Sequence, residues 1–283
     1  MNEENEHCAH LVRGADRDRY LAALLAPRGP RQGLMALYAL DAELAGVRAR
    51  ITEPLAGEIR LQWWRDAIGA LYGGADEYEG AGHPVLQALK PAIAAGKLPL
   101  DAFQNLINAR IFDLYDDPVA SMSELEGYLG DSLGAIIQLS CLILSRGEDA
   151  GSGTAAGHAG VAAGIAWVLR ALPRHAARGK LYLPADLLAR HGASPDEVVK
   201  GRLSGELAAA LGEMRNSARE HLVAARKETD RLPAALRPAF APCALVGPYL
   251  RASERCADPL HEELAVGPLR RQWRIWRAAR RGL

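Results

Sequence analysis

Apolar residues recur every three or four positions along most of the chain, which is the spacing that places side chains on one face of an α-helix. Leu34, Leu37, Tyr38 and Leu44 form one such row, and Asp41 falls within it. Prolines, glycines and capping residues between the rows mark where helices begin and end. The pattern predicts about ten helices, at approximately 16–26, 31–50, 54–73, 83–96, 99–114, 123–145, 155–172, 204–231, 234–256 and 267–281.

The choice among apolar residues favours a helical fold throughout. The chain has 52 Ala and 41 Leu but only 11 Val, 11 Ile and 3 Thr. Ala and Leu keep their rotamer freedom in helices, whereas strands favour β-branched side chains. No repeat and no long Gly/Ser linker divides the chain. The sequence therefore predicts an all-α protein, with a flexible N-terminal segment at residues 1–15 and one helical domain at residues 16–283.

Charge, cysteines and apolar run lengths exclude several protein classes. Lys plus Arg and Asp plus Glu both number 34, whereas a protein that coats nucleic acid carries a basic surplus. The four cysteines lack CxxC spacing, which argues against a disulfide scaffold or a zinc site. The N-terminus, MNEENEHCAH, has neither a secretion-signal nor a transit-peptide layout, and the longest apolar run is about half of a bilayer span. We therefore expect a cytoplasmic protein, soluble or peripheral to the inner membrane, that binds no nucleic acid.

Three stretches of the sequence are distinctive: ALYALDAELAGVRARIT at 36–52, RLQWWRDAI at 60–68 and RGKLYLPADLL at 178–188. Together they resemble the squalene/phytoene synthase family, whose members are all-α head-to-head prenyl transferases. Tyr38-Ala39-Leu40 is similar to the family's Tyr-Ala-Phe, and 179–184 is similar to its Gly-Arg-Ile-Tyr-Leu-Pro signature. The resemblance runs from about Tyr20 to the C-terminus and implies a single-domain, isoprenoid-synthase-type helical bundle.

The family's metal ligands are missing from this sequence. Family enzymes ionise an allylic diphosphate with Mg²⁺, a hard cation that takes oxygen ligands, and they hold it with two pairs of acids on facing helices. The corresponding positions here are Ala45 and Ala49 in the first pair and Ala171 and His175 in the second. The resemblance therefore implies a degenerate active site across a central cavity, with no catalytic residue, no metal ligand and no cofactor.

The second degenerate motif lies in a basic run instead of an acidic one, formed by Arg170, Arg174, His175, Arg178 and Lys180. It could bind a phosphate group or an acidic partner, or it could be a solvated helix end whose cations suit the helix dipole. Asp41 and Glu43, beside the first motif, could form ion pairs with Arg48 or with the basic run, which would close the former metal site. The candidate binding residues are Tyr38, Asp41, Arg48, Arg170, Arg174, Arg178, Lys180 and Tyr182.

A further acidic group precedes Pro118. Asp113, Asp116 and Asp117 have the i, i+3 and i+4 spacing that can hold a metal ion on one helix face. The proline directly after them favours an exposed helix end instead, so the sequence leaves metal binding there open.

The C-terminal stretch 269–283 predicts a basic amphipathic helix. Leu269, Trp273 and Trp276 share one face of this helix. The stripe beside them consists of Arg270, Arg274, Arg277 and Arg281. Such a helix suits an anionic membrane surface, and the alternative is a final helix that packs its tryptophans on the bundle.

One subgroup of the family shares the loss of acids. Four stretches are similar to complex I assembly factors, the group typified by mitochondrial NADH:ubiquinone oxidoreductase assembly factor 6 and its proteobacterial relatives. They read ALDAELAGVRARITEP, RLQWWRDAI, VLRALPRHAARGKLYLP and PLHEELAVGPLRRQWRIW. This resemblance implies a non-catalytic assembly factor that binds a respiratory complex I subunit or assembly intermediate, with an isoprenoid lipid as a further candidate ligand. The alternative is a Mg-dependent head-to-head prenyl diphosphate synthase in isoprenoid biosynthesis.

Overall fold

The computed structural model describes residues 2–74, 80–177 and 180–283, and these residues form helices and connecting loops without a β-strand. The first half of the chain contains α1 (Glu3–Ala15), α2 (Arg17–Leu25), α3 (Arg28–Ala45), α4 (Pro54–Gly73), α5 (Pro84–Gly96), α6 (Leu100–Ile111), α7 (Met122–Leu129) and α8 (Ala135–Ser145). The second half contains α9 (Gly153–Arg170), α10 (Leu172–Ala177), α11 (Ala185–His191), α12 (Pro195–Val199), α13 (Gly205–Thr229), α14 (Arg237–Phe240), α15 (Val246–Arg255) and α16 (Pro268–Arg281). The all-α prediction is confirmed.

Helices α3 and α9 form the centre of the bundle. α3 is buried on every turn, through Leu34, Leu37, Leu40 and Leu44 among others. α9 is rich in Ala and Gly, and α13 and the 130–134 segment both pack along it. The two degenerate motifs begin at the C-terminal ends of α3 and α9, so the packing of these two helices positions the candidate site.

The N-terminal residues differ from the expected flexible segment at 1–15, because Glu3–Ala15 forms α1. Cys8 and Val12, one helical turn apart, are fully buried where α1 packs against α3 and α5. The acidic side chains in the first turn of α1 suit the positive end of the helix dipole. An acidic and polar stretch therefore folds as a helix here, because its single apolar stripe has a partner surface on the bundle.

A long helical stretch, Met122–Ser145, passes through the core beside α9. It consists of α7, a π-helical turn at Gly130–Gly134, and α8. By length and composition it is the one stretch among the described residues that could cross a membrane, and 56% of its most apolar window is buried inside the fold. Such burial is typical of the core helix of a bundle.

The predicted helix at 234–256 is divided into four short helical segments. 3₁₀ turns at Ala234–Leu236 and Ala241–Leu245 alternate with α14 and α15. Pro238 and Pro242 interrupt the helix because each lacks the N–H that would continue an α-helical hydrogen-bond ladder. The helical periodicity did not predict α11 and α12, because each is too short to show a period.

Candidate functional site

A cavity of about 470 Å³ lies between the C-terminal halves of α3 and α9. Its apolar lining includes Leu133, Ile136, Ile137, Ala163, Ala166 and Trp167. Its charged lining comprises Asp16, Arg17, Asp18, Arg19, Asp41, Arg110, Arg170 and Arg271. The cavity therefore lies where the two motifs predict a site, and it combines apolar surface with charges of both signs.

Asp41 is buried at this cavity between two arginines. Its Oδ1 accepts a hydrogen bond from Arg110 Nη2 at 2.6 Å, and its Oδ2 accepts one from Arg19 Nη1. Burial by itself would raise the pKa of Asp41, but the guanidinium groups of Arg110 and Arg19 lower this pKa below its ordinary value. The carboxylate is therefore held ionised, and both of its oxygens are used in internal ion pairs.

Arg110 connects Asp41 to a second carboxylate, that of Asp113. Arg110 Nη1 lies 3.2 Å from Asp113 Oδ2, and Asp113 Oδ1 accepts hydrogen bonds from the hydroxyls of Tyr128 at 2.7 Å and Tyr182 at 2.8 Å. Burial and the negative charge of Asp113 raise the pKa of both tyrosines, which keeps them protonated as donors. The network ties α3 and α6 to the loop at 180–184.

The two other carboxylates of the cavity wall are also engaged. Asp16 caps α2, because its Oδ1 accepts hydrogen bonds from the backbone N–H groups of Asp18 and Arg19 at 3.0 and 2.9 Å. Asp18 Oδ1 accepts hydrogen bonds from Arg271 Nε at 3.1 Å and Nη2 at 2.7 Å, which joins α2 to α16. Within the part of the chain that the structure describes, every carboxylate lining the cavity is paired with a cation or caps a helix.

The lining does not fit the magnesium site that the fold family implies. Mg²⁺ takes oxygen ligands in near-octahedral geometry. To bind here it would have to displace arginines from Asp41 or Asp18, because the family's ligand positions carry alanines and a histidine. Across residues 2–74, 80–177 and 180–283, no group of three or more His, Cys, Asp or Glu side chains is placed to hold a metal ion.

The four degenerate positions do not all face the cavity. Ala45 lies on its wall, whereas Ala49 is exposed in a 3₁₀ turn at Arg48–Arg50. Ala171 is buried just beyond α9, and the ring of His175 packs against Trp167 and Tyr182 with centroid distances of 4.7 and 4.9 Å. The structure thus differs from the expected pairwise arrangement, because α3 ends at Ala45 and α9 ends at Arg170. Ala49 therefore falls outside the regular helix of the first motif. In the second motif Ala171 and His175 stay one helical turn apart, because the N–H of His175, in α10, donates to the carbonyl of Ala171 at 3.0 Å.

The basic run at 170–180 is dispersed instead of forming one patch. Arg170 lines the cavity and donates a hydrogen bond to the hydroxyl of Tyr249 at 3.1 Å. Arg174 pairs with Glu263 at 2.9 Å on the surface. Arg178 lies outside the described residues. Of the described residues in this run, Arg170 lines the cavity and Arg174 does not.

Lys180 is a buried structural cation. Its Nζ donates to the backbone carbonyls of Phe112 at 3.2 Å, Tyr115, and Asp117 at 3.3 Å, and it lies 4.1 Å from the centroid of the Phe112 ring. Burial lowers the pKa of Lys180, although the neighbouring aspartates oppose that shift. Lys180 therefore holds the 112–117 turn in place, and these internal contacts use its ammonium group.

Tyr38 lies on the cavity wall as a candidate binding residue. Its hydroxyl accepts a hydrogen bond from Ser140 Oγ at 3.2 Å, and the guanidinium of Arg19 lies 5.5 Å from its ring centroid. Burial raises the pKa of Tyr38 to about 12, so its hydroxyl is neutral at physiological pH.

The charged side chains beside the first degenerate motif form ion pairs, and their partners differ from those expected. Glu43 pairs with Arg50 at 2.6 Å, while Arg48 pairs with Asp116 at 3.6 Å. Of the described members of this set, neither Arg48 nor Arg170, Arg174 or Lys180 forms an ion pair with Asp41, because α3 directs Asp41 inward toward α2 and α6.

Sequence reasoning missed the two arginines that hold Asp41, although one signal was available. Arg110 continues the buried row of Phe103, Leu106 and Ile107 along α6, and its own side chain is buried. A charge on an apolar stripe needs an opposite charge, because an unpaired buried ion is strongly unfavourable. Asp41 occupies the same kind of position on α3, so the two rows together indicated a buried ion pair.

The three aspartates before Pro118 have different surroundings. Asp116 and Asp117 are exposed, as the proline predicts. Asp113 is wrongly included in that prediction, because the 3₁₀ turn Phe112–Leu114 directs it to Arg110, Tyr128 and Tyr182.

Comparisons of sequence place these features among known proteins. Residues 12–277 match the sequence model of the family described as squalene/phytoene synthase. The chain is 30% identical over 249 residues to NADH dehydrogenase (ubiquinone) complex I, assembly factor 6, of Mus musculus. This alignment covers 88% of this chain and 73% of the mouse protein. The Drosophila melanogaster homolog of that factor is 28% identical over 269 residues, which are 93% of this chain and 79% of the fly protein. Phytoene synthase of Thermus thermophilus is 27% identical over 210 residues, which are 74% of this chain and 69% of that enzyme.

Solved structures share the fold. Squalene synthase HpnC from Alicyclobacillus acidocaldarius matches with a TM-score of 0.79 and 19% identity, over 89% of this chain and 93% of that one. A dehydrosqualene synthase in complex with ligand matches with a TM-score of 0.82 and 16% identity, over 98% of this chain and 95% of the synthase. These neighbours confirm the predicted isoprenoid-synthase-type bundle. Because the family model spans nearly the whole chain and the fold agrees, the chain belongs to the squalene/phytoene synthase family.

Proposed function

We propose that this protein is a catalytically degenerate family member that acts as an assembly factor for respiratory NADH dehydrogenase, complex I. The observation that carries the proposal is the burial of Asp41 between Arg19 and Arg110 in the central cavity. A synthase of this family depends on metal ions to stabilise a diphosphate leaving group, and the described cavity offers no carboxylate free for that task. The relatives named complex I assembly factor 6 support the process, because they match a larger share of the chain than phytoene synthase does.

The partner in this proposal is a complex I subunit or assembly intermediate that binds the outer surface. The cavity is within the size range of small-molecule sites, and a peptide helix about 10–12 Å across would not fit inside it. An isoprenoid tail is the second proposed ligand, with Ile136, Ile137 and Trp167 around the chain and Arg170 near a polar end. No cofactor is required in either case.

The proposed location is the cytoplasm, at the surface of the inner membrane. Complex I is a membrane complex, so a factor that handles its intermediates benefits from peripheral attachment. α16 supports this placement, because Trp273 and Trp276 are exposed on it beside a row of arginines.

Deletion of the gene in the source organism is expected to lower assembled NADH dehydrogenase activity while squalene, hopanoid and carotenoid levels stay unchanged. The reason is that the cavity does not fit the metal-dependent chemistry but the fold is retained. Activity is measured in isolated membranes, with assembly followed by native gel electrophoresis, and complementation with the full chain is the control. Loss of one of those isoprenoids with normal respiration would contradict the proposal and favour the prenyl synthase.

The purified protein is expected not to condense farnesyl or geranylgeranyl diphosphate in the presence of Mg²⁺. The expectation follows from the four ligand positions that lack an acid and from the ion pairs of Asp41. Product is measured by chromatography against a reaction without protein. Product above that background, lost on changing Asp41 or Asp113, would establish the alternative activity.

A further inference from the structure

Helix α16 presents an apolar face to solvent as well as one to the bundle. Ile275 and Ala278 are buried where α16 packs on α2, α14 and the adjoining 3₁₀ turn. The side chains of Leu269, Trp273 and Trp276 are 81%, 56% and 44% exposed. The alternative in which the tryptophans pack on the bundle is therefore wrong, and the outward face has no partner within the described chain.

Beside this outward face on α16 is Arg274, and the charges of four further arginines from three helices act on it. α16 supplies Arg270, Arg274 and Arg277, α15 supplies Arg251, and the end of α13 supplies Arg226. Among the residues described, no carboxylate lies within 4.0 Å of any of the five, whereas the nearby Arg219 and Arg271 pair with Glu254 and Asp18. The positive charge of this cluster is therefore not neutralised by the fold.

Arg274 belongs to this arginine cluster, and one of its hydrogen-bond donors has no acceptor. Its Nε is shielded from solvent and has no hydrogen-bond partner. Burial lowers the pKa of Arg274, and the charges of the four surrounding arginines lower it further. A buried donor without an acceptor among like charges is unfavourable, and an anionic oxygen would relieve both problems.

We infer that the arginine cluster binds the phosphate of an anionic phospholipid headgroup while Leu269, Trp273 and Trp276 enter the acyl boundary. The inference deepens the proposed membrane placement by naming the lipid class and a site shared by α13, α15 and α16. Guanidinium groups bind phosphate oxygens through paired hydrogen bonds, and tryptophan favours the interface between headgroups and acyl chains.

An acidic protein segment is the other class of partner that arginines could attract. The exposed apolar row favours the membrane, because a large apolar moment combined with a basic flank is the composition of helices that lie in the bilayer interface. An acidic peptide would leave Leu269 and the two tryptophans uncovered.

The test measures binding of the full-length protein to vesicles by co-sedimentation, with phosphatidylcholine alone or mixed with phosphatidylglycerol. We expect tighter binding to the mixed vesicles, weakened by added salt. R251Q and R277Q should each weaken binding to the mixed vesicles about fivefold, as expected for one basic residue near an anionic surface. The matched control is R202Q, which removes one positive charge from an exposed side chain elsewhere and should leave binding unchanged.

Each outcome has a defined meaning. If R251Q binds the mixed vesicles as tightly as the R202Q control while R277Q binds them more weakly, α16 binds the lipid alone, and the proposal of a phosphate site shared with α15 is overturned. If a polyglutamate peptide binds more tightly than the mixed vesicles and the same variants lose it, the partner is an acidic protein and the lipid assignment is wrong. If the wild-type protein ignores phosphatidylglycerol, the inference fails, while the assembly role is still decided separately by the gene deletion. Circular dichroism of the variants, all changed at exposed positions, confirms that they fold.

Discussion

Replacement of Asp41 by alanine is expected to lower the free energy of unfolding by about 3–5 kcal/mol, the range for removing one partner of a buried ion pair. The side chain of Arg110 is 9% exposed and that of Arg19 is 15% exposed, so neither can regain full hydration when the carboxylate is removed. Arg110 would keep Asp113 at 3.2 Å, whereas Arg19 would keep the exposed carboxylate of Asp16 at 3.7 Å. The loss is measured by urea denaturation at neutral pH.

Asp116→Ala is the matched control, because it also removes an aspartate paired with an arginine. The Arg48–Asp116 pair is exposed and 3.6 Å long, so its loss should change stability by less than about 1 kcal/mol. Equal effects of the two substitutions would show that Asp41 is not a buried ion-pair partner. A variant that replaces Arg19, Asp41, Arg110 and Asp113 with Met, Leu, Met and Asn should recover much of the loss, because the charges of the buried network, including the second partner of Arg110, are removed together.

The contribution of Asp41 also has a definite pH dependence. Its pKa in the folded protein is lowered from the ordinary value of 3.8 by Arg110 and Arg19, against the opposing effect of burial. The unfolded chain therefore takes up the proton first as pH falls, and the stability due to Asp41 is complete above about pH 4 and is lost as pH falls through the lowered folded-state pKa. The difference between wild type and Asp41→Ala should hence be constant from pH 5 to 8 and shrink only in stronger acid.

Substitution of Gly160 by alanine is expected to destabilise the fold by about 3 kcal/mol, at the upper end of typical overpacking costs. A methyl group at Gly160 would overlap the backbone N and Cα of Gly134 in the π-helical turn and would lie 3.0 Å from the carbonyl carbon of Leu133. The obstacle is backbone, which no side-chain rotation can relieve, so α9 and the 130–134 turn must separate. Thermal and urea unfolding both measure the change.

Gly157→Ala, on the same helix, is the matched control. A methyl group at Gly157 meets no atom within 4 Å, and α9 continues through the position. Alanine is favoured over glycine in a helix interior by about 1 kcal/mol, so this variant should be slightly more stable than wild type. A destabilisation as large as that of Gly160→Ala would mean that the close approach of α9 to Gly134 is not the cause.

Local features of the sequence determined the fold class and much of the helix layout. The excess of Ala and Leu over β-branched residues excludes a sheet protein, and periodic rows such as Leu34, Leu37 and Leu44 predict the helix that the structure shows as α3. The motifs around Tyr38 and at 179–184 carried the family resemblance, and the alanines at the ligand positions indicated the missing acids. These properties depend on residue type and spacing, so they can be read without knowing how the helices pack.

The tertiary structure alone decided which charges meet. Asp41 pairs with Arg19, 22 residues away in the sequence, and with Arg110, 69 residues away. The cations that adjoin the two degenerate motifs in the sequence are instead Arg48 and the basic run. The tertiary structure also decided that α1 is ordered and that α16 turns its tryptophans outward. The physical reason is the same in each case. Helical periodicity gives the face on which a side chain lies, but its partner depends on how neighbouring helices are rotated and offset, and that arrangement is set by the packing of the whole core.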